Sequence, residues 1–235
     1  MTGHYFITFE GIDTCGKTTQ LKKAAAFLAQ HQISHVVEKE PGSTALGGTL
    51  RRILKEPAEI YHAMNLFFTN NPDFTHLNIH QERTPEAELF LFLASRADFL
   101  NHIVCPQLQQ NKSVLADRFF DSTRTYQGGG LYHNDPEDLA FIQLAHEFLF
   151  RKNNVRPDLT FVLDIPVPVM KQRSRGQRLD AIEQRGDAYF ERVRQAYLDI
   201  ARNESERVIC IDGTQSIDTI FCGGILPHLQ RLYSL

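Results

Sequence analysis

No stretch of the 235-residue chain holds the ~18 consecutive apolar residues of a membrane span. Acidic Glu10 and Asp13 also fall where the apolar core of a signal peptide would still be running. The expectation is a soluble, cytoplasmic protein with no membrane partner. Cysteine is scarce: Cys15, Cys105, Cys210 and Cys222 show no CxxC or other metal-ligand spacing, so idle thiols in a reducing compartment are expected and structural zinc is not. A net charge of -3 argues against a general nucleic-acid binder and confines any phosphate-binding surface to a local patch. Internal repeats, Ser/Pro/Gly linkers and low-complexity tracts are missing too, which excludes disordered and collagenous chains.

What is present suits a single α/β domain over residues 1–235. With 42% hydrophobic residues, a core of this size buries roughly 70 to 75% of the surface exposed by the unfolded chain. Short β-type runs occur at Tyr5 to Phe9, Ser34 to Val37, Ser113 to Ala116, Leu159 to Leu163 and Arg207 to Ile211. Between them, helical spacing covers Lys17 to His31, Glu86 to Gln110, Asp135 to Lys152, Asp187 to Asn203 and Ile217 to Leu232. This alternation predicts a five-stranded parallel sheet with helices on both faces, a three-layer sandwich. Residues 57–84 keep neither period and mix aromatics with Asn, Pro and His, so they read as an insertion beside the site. His76 and His80 within it are expected to be solvated rather than metal ligands.

The strongest local signal is Gly11-Ile12-Asp13-Thr14-Cys15-Gly16-Lys17-Thr18, a GxxxxGK[ST] match between an apolar strand and a helix that opens with Thr19. Glycines let backbone N–H groups wrap phosphates, and the helix N-terminus adds partial positive charge. Lys17 reaches the terminal phosphates, and Thr18 offers a hydroxyl to Mg²⁺. The expected ligand of this P-loop NTPase-type fold is therefore ATP with Mg²⁺. No Asn-Lys-x-Asp guanine-reading motif follows, and the chain is too short for most motor ATPases.

Three further segments narrow the reading. Lys39-Glu40-Pro41-Gly42-Ser43-Thr44 follows the second strand, Asp117-Arg118-Phe119-Phe120-Asp121-Ser122-Thr123-Arg124-Thr125-Tyr126-Gln127-Gly128-Gly129-Gly130 follows the third, and Arg156-Pro157-Asp158 enters the fourth. With FEGIDTCGKTTQ in front and LDAIEQ behind, their order resembles the thymidylate kinase family over nearly the whole chain.

That resemblance implies transfer of the ATP γ-phosphoryl group to dTMP, giving dTDP and ADP for dTTP biosynthesis, by a homodimer that pairs through helices such as Glu86 to Gln110. It implies that Arg118 and Arg51 grip the acceptor phosphate, and that Asp13 reaches the sugar 3′-hydroxyl and the metal region. Asp117 would join Thr18 in organising Mg²⁺, directly or through water. Phe92 and Arg96, four apart on one helix face, would stack on thymine and bond its carbonyl edge. Ser122 and Thr123 would bond the base, Tyr126 would crowd the sugar 2′ position, and Gln127 would begin a glycine stretch that lets backbone approach the ligand. The loop stretch Ile12 to Cys15 holds no arginine, so the chain is similar to the bacterial subtype, whose lid supplies the charge. Here the lid spans residues 166–186 and its arginines are Arg173 and Arg175.

Between Lys171 and Arg194 basic residues outnumber acidic ones, as a lid over polyphosphate requires. Asp180-Ala181-Ile182-Glu183 lacks the arginine common at this point of the family, and Arg178 is its expected substitute. Cys15, at a helix N-terminus, is either an alkylatable thiol or an inert small residue. Two readings compete with the first: another deoxynucleoside or nucleoside-monophosphate kinase of this architecture, and a non-catalytic nucleotide-binding module.

Overall fold

The computed structural model describes residues 3–57, 59–60 and 83–235. Most of the 57–84 stretch, with His76 and His80, therefore lies outside the described residues. Five strands, β1 (Phe6–Glu10), β2 (His35–Lys39), β3 (Ser113–Asp117), β4 (Leu159–Asp164) and β5 (Val208–Asp212), form one sheet in the order β2-β3-β1-β4-β5. Every pairing is parallel, with Phe9 opposite Asp117 on one side and Phe161 on the other. The expected five-stranded parallel sheet is what forms, each strand reaching one or two residues past its apolar run. Those extensions set Glu10, Asp117, Asp164 and Asp212 at the carboxyl ends of four strands.

Both sheet faces are covered because the strand side chains alternate. Ile7, Phe9, Leu115 and Phe161 pack into one apolar layer, whereas Phe6, Val114 and Ala116 enter a second with Phe99, Val104 and Phe150. Each fully buried aromatic contributes about 1.5 to 3 kcal/mol, so the sheet is a rigid platform. Helix α1 (Lys17–Gln30) starts directly after the loop and α2 (Ala45–Lys55) follows β2. Helix α3 (Pro85–Phe99) is capped by Thr84, whose side chain accepts from Ala87 N, and has Pro85 in its first turn. It continues through a π-helical segment, Leu100–Val104, into Cys105–Gln109, matching the expected helix with a local change of winding. After β3, Phe120–Thr123 is helical and Arg124–Leu131 is π-helical.

Helix α4 (Pro136–Asn153) opens on Asp135, whose carboxylate accepts from Glu137 N and Asp138 N. Helix α5 (Val167–Arg173) begins the stretch expected to be a lid, and α6 (Asp187–Asn203) and α7 (Leu226–Tyr233) complete the layers. Among the described residues no helix is long and apolar enough to cross a membrane.

The glycine run after Gln127 has a different task from the one expected. A Cβ on Gly128 would lie 2.7 Å from Leu139, one on Gly129 2.7 Å from Ala196 and one on Gly130 2.4 Å from Tyr189. The three glycines let this segment seat against α4 and α6, and none of them lines the cleft described below.

Candidate active site

The connection from β1 runs toward one edge of the sheet, to β2, and the one from its neighbour β3 runs toward the other, to β4. A crevice opens at the carboxyl ends of strands at such a switch point. Here it is a cleft of about 450 Å³. Its floor is the loop from Gly11 to Thr18. Gly11 has φ 128°, and a Cβ there would come within 2.4 Å of Leu163 O; Gly16, with φ 105°, starts α1. Only glycine takes both positions without strain. Asp13, Thr14, Gly16, Lys17, Thr18 and Thr19 face the cleft. Ile12 and Cys15 turn the other way, each 1% exposed in the core, a placement that fits the inert alternative for Cys15. Lys17 Nζ donates to Gly11 O at 3.1 Å and Ile12 O at 2.9 Å, within the loop it serves.

Thr18 Oγ1 donates to Asp117 Oδ2 at 2.9 Å, and among the described residues Asp117 Oδ1 is buried without a partner. Burial raises the Asp117 pKa, but Lys17, Arg118 and Lys39 outweigh it and hold the carboxylate ionised. A hydroxyl and an ionised carboxylate with a spare oxygen are the hard donors that a divalent cation of the magnesium kind takes. The residues therefore fit Mg²⁺.

Arg118 occupies φ 74°, which is uncommon for a side chain of its size and turns it back over the loop. Its guanidinium donates to Asp13 Oδ1 at 2.8 Å, Tyr126 Oη at 2.9 Å, Gly11 O at 3.0 Å and Ser122 Oγ at 3.2 Å. Tyr126 in turn donates to Asp13 Oδ2 at 2.9 Å. Burial would raise the Asp13 pKa, but Arg118, then Lys17 and Lys55, push it well below the ordinary carboxylate range. Burial drives the Tyr126 phenol far upward, so it stays a neutral donor. Beneath them Glu10, fully buried, accepts from Phe119 N, Ser122 Oγ and Tyr197 Oη and fixes the start of the Arg118 segment.

The far wall is built around Arg96, which is 2% exposed. Nε and one NH2 proton go to Glu40 Oε2 at 3.1 and 3.0 Å, and NH2 also donates to Phe119 O at 3.1 Å. NH1 donates to Thr123 Oγ1 and to His146 Nε2, the latter at 2.8 Å. All five donors are engaged, so a base carbonyl reaching Arg96 must share a proton with one of these partners. Burial raises Glu40 to about 7 against the pull of Arg96, and among the described residues its Oε1 has no partner. Phe92 is half-buried on the same face of α3 and lines the cleft, as do Arg51, Ser122 and Gln127.

Of the expected lid arginines, Arg173 lies against the phosphate loop, its NH1 and NH2 donating to Thr14 O at 3.3 Å and Gly213 O at 3.0 Å. Arg175 is exposed and does not line the cleft. Arg178, the expected substitute for the missing lid arginine, is exposed and pairs with Glu59 at 2.8 Å. Six cleft residues were given no site role by the sequence analysis: Lys39, Glu40, Pro41, Lys55, Gln177 and Ile182. Lys55 was findable, since it lies four residues after Arg51 on α2 and so shares its face. It pairs with Asp180 of the lid, and Ala181 N donates to Lys55 O at 3.1 Å.

Comparisons with known proteins agree on one family. The thymidylate kinase family model matches residues 9–82 and 75–221. The chain is 36% identical to a thymidylate kinase of Kosmotoga olearia, over 92% of this chain and 90% of that protein. It is 36% identical to a thymidylate kinase of Exiguobacterium sibiricum, over 98% of each. Among solved structures, the thymidylate kinase of Ehrlichia chaffeensis superposes with a TM-score of 0.66 at 28% identity, covering 97% of this chain and 99% of that one.

Proposed function

The chain belongs to the thymidylate kinase family, and from that premise we propose how its cleft moves the γ-phosphoryl group of ATP to dTMP. The observation that carries the reading is the juxtaposition of Lys17, Arg118 and Arg173 around one crevice, with Asp13 and Asp117 ionised between them. ATP takes the loop end, its phosphates on the backbone N–H groups and Lys17. The deoxynucleotide takes the end walled by Phe92, Arg96, Thr123 and Tyr126, with its phosphate toward Arg51 and Arg118.

The acceptor is a phosphate monoester whose second pKa lies near 6, so its attacking oxygen is largely ionised at pH 7 and no general base is required. The protein's task is in-line positioning and neutralisation of charge where two polyanions meet. Arg118 is suited to it because a planar fork binds a phosphate with two donors, and Asp13, Tyr126 and Gly11 O already fix that fork. Asp13, a carboxylate at the junction, accepts from the sugar 3′-hydroxyl. Arg173 follows the transferring group from the lid side, which also excludes water.

Thr18 and Asp117 would hold Mg²⁺, and the ion would supply positive charge to offset the phosphates it meets there.

A homodimer fits the surface of α3 and α4. Phe90 is 56% exposed, Leu144 62% and Phe148 60%, and Phe90 meets the ring of Phe141 edge-on at 5.9 Å. Such an apolar face on two neighbouring helices is what a second copy covers. ATP and a deoxynucleotide as substrates agree with a cytoplasmic location.

A nucleoside-monophosphate panel with Mg-ATP tests the reading. We expect ADP release with dTMP, none with thymidine, and a roughly 10- to 200-fold lower kcat/KM with dUMP, the range one missing methyl group commands. Thymidine turning over faster than dTMP would identify a deoxynucleoside kinase, and no ADP with any acceptor would leave a binding module. Sedimentation of the same preparation should give twice the chain mass.

A further inference from the structure

Glu88 on α3 is 2% exposed and does not line the cleft, yet three other segments converge on its carboxylate. Arg185, in the 3₁₀ turn Glu183–Arg185 at the end of the lid, donates NH1 to Oε1 at 3.0 Å and NH2 to Oε2. Gln127, from the wall of the nucleoside end, donates to Oε1 at 2.9 Å. Arg83 donates to Oε2 at 3.2 Å and also to Ile53 O and Leu54 O, at the end of the helix that carries Arg51 and Lys55. Arg185 further bonds Tyr189 Oη at 3.1 Å, and Tyr189 donates to Tyr126 O at 3.0 Å.

We propose that Glu88 is a positioning residue that couples closure of the lid to occupation of the nucleoside-monophosphate end, with Arg185 and Gln127 as its two arms. The proposal rests on the kinase reading above. Glu88 touches neither nucleotide and acts through what it holds. Burial raises its pKa, but the bonds from Arg185 outweigh that and keep it ionised. If the lid swings away with Arg185, a buried carboxylate loses its bidentate partner, which is costly in a low-dielectric site. Gln127 and Arg185 share Oε1, so a ligand that fixes Gln127 against Glu88 also fixes the acceptor atom that Arg185 needs. Arg185 in place keeps residues 178–185 seated on α2, and Arg173, earlier in the lid, stays over the phosphate loop. Arg185 is thus the lid arginine that meets a buried carboxylate of the body, while Arg178 pairs at the surface.

Coupling of this kind is reciprocal: dTMP must tighten the binding of an ATP analogue by the factor with which the analogue tightens dTMP. The test is calorimetric titration of non-hydrolysable Mg-AMPPNP with and without saturating dTMP, in the unmodified protein and in Glu88→Gln, Arg185→Ala and Arg185→Lys. The unmodified protein should bind the analogue about 5- to 150-fold tighter with dTMP. The ratio should fall toward one in Glu88→Gln and Arg185→Ala and recover in part in Arg185→Lys. A purely structural role would lower the melting temperature and leave the ratio intact, and that result overturns the proposal, as does a ratio of one in the unmodified protein. Should Glu88→Gln fail to fold, the Arg185 pair decides, because that side chain is 23% exposed and sits at the rim. ADP release with dTMP, measured on the same unmodified sample, separates failure of the coupling from failure of the kinase reading.

Discussion

The two ends of the cleft are built on opposite plans. The loop end, proposed for ATP, is one contiguous turn, Gly11 to Thr18, whose shape is set by two glycines in left-handed conformations. The far end, proposed for the deoxynucleotide, is assembled from the exit of β2, α2, α3, the segment after β3 and residues 173–182, and its side chains are fastened by buried groups such as the Arg96–Glu40 ion pair. A contiguous backbone cradle tolerates change elsewhere in the chain. An assembled wall transmits it, because removing one member of a buried pair leaves the other charged and unpartnered.

The largest effect should come from Arg173, which reaches the loop from outside it. Arg173 bonds only backbone carbonyls of the loop and of Gly213, so nothing collapses when it is removed. Arg173→Ala should lower kcat by on the order of 10³-fold, the scale of a transition-state arginine, with the KM for dTMP nearly unchanged. Arg175→Ala, at a position that does not line the cleft, should cost far less. Steady-state kinetics of the two variants side by side checks this; equal losses would mean that the lid acts through its summed charge.

An intermediate effect is expected at Arg118, where the fork matters more than the charge. Arg118→Lys keeps one positive charge but cannot serve Asp13, Tyr126, Gly11 O and Ser122 together. Leaving such buried acceptors unmet costs about 1 to 3 kcal/mol, so kcat/KM for dTMP should fall roughly 5- to 150-fold, the rise in KM for dTMP exceeding that for ATP. Similar rises in both would place the residue at the ATP end.

The same contrast explains what could be read from the chain before its structure. Short apolar runs fixed the five strands because buried parallel strands need no polar alternation, and the phosphate loop was legible because its function requires residue types at fixed spacing. Local spacing also placed Phe92 with Arg96, and it would have placed Lys55 with Arg51. The Glu88 cluster was not legible: Arg83, Gln127 and Arg185 meet only after three connections have folded, and no periodicity links them. Nor could spacing tell that Gly128 to Gly130 make room for α4 and α6, since a glycine run signals close approach without saying of what.

The smallest expected effect separates the two plans by pH. Asp13 has its pKa driven below the ordinary 3.8 by Arg118 and Lys17 despite burial. The unfolded chain therefore binds the proton more readily, and the stability this carboxylate contributes is complete above about pH 5 and is lost as the pH falls through the folded value. Glu40 runs the other way. Burial raises it from 4.5 to about 7, so the folded protein holds the proton longer than the unfolded chain. Its contribution is present below pH 4.5 and is lost as the pH rises through 7. Thermal melts between pH 3 and pH 8 should show both limbs. Asp13→Asn should flatten the acid limb and leave the upper one, and Glu40→Gln should flatten the upper limb alone, each by on the order of 1 kcal/mol. The two carboxylates belong to different ends of the cleft, so a variant that flattened both limbs at once would mean that the ends are held as a single electrostatic unit.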